Sequence, residues 1–164
     1  MKSFAALTFL LALATASPVE VMPRDEGALE KRDTEIVYLS NCKHVVSCCP
    51  PLAETHTSHI FYYANSASSQ NGNAPSNDNQ CTVSGDNYAW WENGSPHCSF
   101  PTGVTFTAHI DADAQSRPLY SWAGWGSNGY KNWNCYKDNG RQLFTTSGPE
   151  WSETCTSVYY CIPQ

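Results

Sequence analysis

The sequence is short of the features that membranes, nucleic acids and most catalytic machineries demand. Its longest apolar run, Phe4 to Ala14, is about half the roughly 20 residues that a bilayer requires, so no membrane span is expected. Basic side chains are few: nine Lys and Arg stand against fifteen Asp and Glu. Four of each lie in the first 32 residues, so the net charge of −6 belongs wholly to the remainder. Binding nucleic acid or anionic lipid rests on neutralising phosphates with Lys or Arg, so neither is an expected partner. There is no G-x-S-x-G nucleophile elbow and no facing pair of C-x-x-C motifs at zinc-ribbon spacing. Helical periodicity is absent too, apart from single turns conceivable at His44 to Cys49 and Asp113 to Ser116.

What is present begins with an export signature. Lys2, the apolar run and Ala14-Thr15-Ala16 read as a signal peptide over residues 1–16. Residues 17–32 carry four acids and two prolines with little to bury, and end in Lys31-Arg32. Such a stretch does not repay its ordering entropy, so it reads as a pro-segment with a dibasic processing site. Residues 33–164 form the expected single mature domain, secreted and monomeric.

All eight cysteines fall in that domain, at Cys42, Cys48, Cys49, Cys81, Cys98, Cys135, Cys155 and Cys161. An even count after a signal peptide predicts four disulfides, with adjacent Cys48 and Cys49 diverging to separate partners. No metal or cofactor is expected.

The local pattern is almost wholly β. Strands are expected at Glu35–Leu39, His59–Tyr63, Tyr88–Trp91, Val104–Ile110, Leu119–Ala123 and Thr156–Ile162. Val104–Ile110 alternates apolar and polar at period two, as a half-buried strand does. Residues 133–137 and 141–145, joined by Asp138-Asn139-Gly140, predict a β-hairpin. Ser66 to Gln80 and Gly124 to Gly129 are rich in turn formers and are expected to be loops. The class is all-β: a small disulfide-rich antiparallel sandwich or partly closed barrel.

Three groups of residues could carry chemistry. His109, Asp111 and Asp113 would share one face if their strand continued, as a metal or acid-base set, although Asp111 to Pro118 reads as the loop that ends it. His56 and His59 form an isolated H-x-x-H. His59, Glu92, His109 and Arg117 supply the residue types of small secreted fungal ribonucleases, but no histidine follows Arg117, so their order is broken.

A further group is aromatic. All six tryptophans and nine tyrosines lie beyond residue 32. Trp90 and Trp91 are adjacent and must face opposite sides. Trp125, in a Gly-rich stretch, is the residue expected to stand exposed, with Trp122 and Tyr130 as neighbours in a binding surface. Exposed rings flanked by amides suit sugar faces, whereas buried rings would simply fill a core. Asn93-Gly94-Ser95 is a glycosylation acceptor and marks an exposed loop.

The Lys31-Arg32 site, the small mature domain, the paired cysteines and the all-β pattern together resemble fungal small secreted cysteine-rich proteins, the broad group that includes effector-like and killer-toxin-like proteins. The resemblance implies a stable extracellular protein that acts on a host, a competing microbe or a cell wall, usually by binding. Three functions are open on the sequence: a non-catalytic interaction protein with an extracellular protein or glycan partner, a carbohydrate-binding protein of the cell wall, and a small hydrolase.

Overall fold

The computed structural model of the chain describes residues 35–47 and 53–164. The expected signal peptide and pro-segment, with Lys31 and Arg32, lie outside the described residues, as do Cys48 and Cys49.

Nine strands account for most of the rest: β1 (Ile36–Val46), β2 (Ala53–Tyr63), β3 (Gln80–Ser84), β4 (His97–Ser99), β5 (Thr105–Ile110), β6 (Trp122–Ser127), β7 (Asn132–Lys137), β8 (Gln142–Gly148) and β9 (Trp151–Pro163). One short helix, α1 (Ser66–Gln70), is capped by the Asn65 side chain on the Ala67 N–H. Every pairing is antiparallel, in the order β3-β2-β1-β9-β7-β6-β5-β4, with β8 paired to β9. The all-β expectation holds, and of its two forms the partly closed barrel is the one realised.

Alternation builds the barrel. On β5, Phe106, Ala108 and Ile110 point inward while Thr105, Thr107 and His109 face out. Val37, Leu39, Ile60, Trp91, Trp133 and Tyr159 complete the interior. The sheet ends at β3 and β4, which share no strand pairing but are joined by the Cys81–Cys98 disulfide. That covalent staple stands where ladder hydrogen bonds would otherwise close the barrel. Cys42–Cys155 and Cys135–Cys161 link directly paired residues of β9 with β1 and β7, with Cα atoms 4.0 Å apart in each.

The six described cysteines thus take one another. The expected divergence of Cys48 and Cys49 to separate partners falls outside the described residues.

The expected hairpin across Asp138-Asn139-Gly140 is also corrected. Gly140 does adopt a positive φ of 74°, but β7 and β8 lie end to end along one edge of β9 instead of pairing with each other. The cause is burial. Trp133 and Cys135 of β7 enter the barrel, whereas Leu143 and Phe144 of β8 pack on its outside with Tyr38, Phe61 and Tyr63 in a second core.

The Gly124 to Gly129 stretch is not a loop at its start. Gly124 and Gly126 are inward positions of β6, where a Cβ would stand 2.1 Å from the His109 carbonyl oxygen and 2.4 Å from Cζ of Phe106. These glycines answer to close approach inside the barrel, not to a reversal. Other local expectations shift as well. Tyr88–Trp91 is loop, although Trp90 is 71% exposed and Trp91 only 2%, on opposite sides as expected. Residues 44–46 are strand, and 114–116 make a 3-10 turn.

Candidate functional site

The outer faces of β5, β6 and β7 form a continuous surface. His109 pairs with Trp125, and Trp125 with Asn134; one row further along, Thr107 pairs with Ser127 and Ser127 with Asn132. Cross-strand neighbours on one face stand about 5 Å apart, so these side chains make a compact patch. An open groove of about 800 Å³ runs over it, lined also by Gly103, Val104 and Tyr130.

Two rings dominate the groove. Trp125 is 42% exposed and stacks on the His109 imidazole with centroids 4.0 Å apart. The stack holds the indole by one face and leaves much of the ring in solvent. Tyr130 is 85% exposed at the tip between β6 and β7. Its backbone is held by the Asn128 side-chain oxygen Oδ1, which accepts from the N–H groups of Tyr130 at 3.0 Å and Lys131 at 2.8 Å. Gly129 supplies the positive φ of 82° that this turn requires. The exposed phenol therefore sits on a fixed turn.

No Asp, Glu, Lys or Arg lines this groove. Its polar groups are the hydroxyls of Thr105, Thr107 and Ser127, the amides of Asn128 and Asn132, and His109.

The structure brings Trp125, Tyr130 and His109 together and separates the other expected residues from them. Trp122 shares the outer face with Trp125, because the register shift after it lets two residues of β6 oppose one of β7. It is 44% exposed but lies under Arg117, whose guanidinium carbon is 5.8 Å from the ring centre. Arg117 also donates to Asp111 at 2.7 Å, to Asp113 at 2.6 Å and to the Trp122 carbonyl at 3.0 Å. The Arg117 hydrogen bond and charge hold the Asp113 carboxyl below its usual range. His109 turns away from both acids, with Nδ1 within 2.9 Å of Ser95 Oγ. The expected trio is thus divided between a clasp on the 111–118 loop and the Trp125 stack.

His56 and His59 do not converge either. His56 meets the Tyr88 ring edge-on, while His59 lies between Thr57 and Thr82 and stacks on Phe61. Glu92 accepts hydrogen bonds from Tyr159 and Gln115. Among the described residues, no three His, Cys, Asp or Glu side chains form a group able to hold a metal ion. Asn93 is exposed in the turn closed by its N–H to the Trp90 carbonyl.

Sequence reasoning missed the polar half of the groove. Thr105 and Thr107 were legible as outward residues of an alternating strand, but nothing local pairs them with Ser127 and Asn132. No protein-family model, no curated protein and no solved structure matches the chain.

Proposed function

We propose that this chain is a secreted, non-catalytic binding protein of the small cysteine-rich type, exported and trimmed after Arg32, whose mature domain binds a neutral polysaccharide along the β5–β6–β7 groove. The observation that carries the reading is the pairing of two exposed rings, Trp125 and Tyr130, with hydroxyl and amide side chains in a groove without a formal charge. Sugar rings present apolar C–H faces to aromatics and hydroxyl edges to amides and hydroxyls. A charged glycan or a strongly charged protein would find no counter-ion here.

Three disulfides suit an oxidising extracellular setting, and among the described residues no helix is long and apolar enough to cross a membrane. Glycoside hydrolysis needs two carboxyl groups flanking the scissile bond, and the groove contains none, which favours binding over cleavage. A cell wall is the natural arena for such a ligand.

Pull-down of the mature domain on insoluble chitin, β-glucan and cellulose tests the reading. Retention on at least one of them, reduced by Trp125→Ala, is expected. Passage through all three unretained would move the target to a protein.

A further inference from the structure

Beside the Trp125 groove lies a smaller, more apolar hollow of about 290 Å³. Val104 and Asn128 line both. The hollow sits at one end of the barrel, where Asn79 stands just before β3, Phe100 just after β4, Val104 just before β5 and Asn128 just after β6. Val104 and Asn128 therefore form a rim shared by groove and hollow.

The hollow is shallow and well floored. Phe106 and Trp133 lie beneath it, each 1% exposed and set edge to face with centroids 6.0 Å apart, so they close it off from the barrel interior. The surface it presents to solvent comes from Tyr62 and Val104, both half-buried, and from exposed Thr102, with the half-buried amides of Asn79 and Asn128 beside them. Both rim turns are fixed. The Phe100 N–H donates to the Val104 carbonyl and the Gly103 N–H to the Phe100 carbonyl, each at 2.8 Å. On the other side, Asn128 Oδ1 already accepts two N–H groups, so what this side chain has left to give is its amide N–H pair. A site built this way loses little freedom when it is filled.

The walls select among neutral polysaccharides. Cellulose and β-glucan would turn only hydroxyls toward the hollow and leave its apolar wall against a polar group. A chain of N-acetylated sugars presents an acetamido group beside the ring, with a methyl for an apolar wall and an amide for hydrogen bonds. The hollow measures roughly ten times a water's share of liquid volume, enough for that group and part of its ring. Given a polysaccharide in the Trp125 groove, a reading on which this rests, we infer that the ligand is an N-acetylated polymer of the chitin type. Its sugar ring lies on Trp125, its acetamido methyl against Val104 and Tyr62, and its acetamido oxygen accepts from the Asn128 amide. Asp78 is the one charged residue of the lining and is exposed, so a deacetylated, cationic chain is the competitor to exclude.

NMR titration of the mature domain with three tetrasaccharides tests this: the N-acetylglucosamine tetramer, its fully deacetylated form, and cellotetraose. The acetylated tetramer should shift the amides of Thr102, Val104 and Asn128 together with those of Thr107 and Trp125, and should bind at least tenfold more tightly than either of the others. Val104→Thr, which keeps the shape of the side chain and puts a hydroxyl in place of a methyl, should lower the preference for the acetylated tetramer over cellotetraose several-fold. The comparison of sugars on the parent protein decides the case even if that variant does not fold. Equal binding of the acetylated tetramer and cellotetraose, or groove shifts that spare Thr102 and Val104, would overturn the acetamido site while the groove reading stands. Tighter binding of the deacetylated tetramer would overturn it too, as would an unchanged preference in folded Val104→Thr. Silence from all three sugars would remove the groove reading and this inference together.

Discussion

Replacing Trp125 with Ala separates the two roles an aromatic can have in a small β domain. A fully buried tryptophan truncated to alanine costs about 3 to 5 kcal/mol, and an ordinary surface residue within about 0.5. Trp125 lies between these limits, because 42% of it is exposed and the remainder rests on His109 and the sheet. Scaling by the buried share gives about 2 kcal/mol. For a domain of this size that is a fall in melting temperature of roughly 8 °C. Loss of an aromatic anchor should weaken polysaccharide binding by about 2 kcal/mol or more, close to 30-fold. Thermal melts followed by near-UV circular dichroism give the first quantity, and depletion isotherms on the retaining polysaccharide give the second. Trp90→Ala is the control: at 71% exposure on a loop and outside the groove's lining, it should change neither by a measurable amount. A stability loss at Trp125 near 4 kcal/mol, or an unchanged isotherm, would refute the reasoning.

Three further outcomes follow from the fold. Gly124→Ala places a Cβ 2.1 Å from a backbone oxygen of the adjoining strand at a φ of 153°, so it should separate β5 from β6 and cost more than about 3 kcal/mol in urea melts. Reverting the closing staple with Cys81→Ser and Cys98→Ser should cost about 3 kcal/mol, and amide exchange should rise first in β3 and β4, the strands it joins. Burial holds the His59 imidazole below its usual range, with Glu153 opposing. The unfolded chain therefore takes up that proton first, so stability is intact above about pH 6.5 and falls as pH drops toward the folded value. His59→Gln should flatten that acid-side decline in denaturant midpoints.

The sequence exposes what is local and hides what depends on pairing. Period-two alternation in Thr105–Ile110 is visible because each inward residue is apolar and each outward one polar. The same logic places His109 outward and ends the strand before Asp111. It fails on β6, where Gly124 and Gly126 resemble turn residues although they are strand positions pressed against Phe106 and the His109 carbonyl. It fails again at Asp138, where a turn-forming signature hides a carboxylate carried under the outer surface by the divergence of β7 and β8. Trp125 and Tyr130 are legible as candidates from their setting. Their polar companions Ser127 and Asn132 are not, since only the register of β5, β6 and β7 brings them together.

The most direct test of the central claim is a ¹H–¹⁵N NMR titration of the mature domain with soluble oligosaccharides of chitin, β-glucan and cellulose. Groove binding predicts shifts concentrated at Thr105, Thr107, His109, Trp125, Ser127 and Tyr130, including the Trp125 indole N–H, for at least one of the three. A spectrum unmoved by all of them, or shifts that avoid β5, β6 and β7, would contradict it.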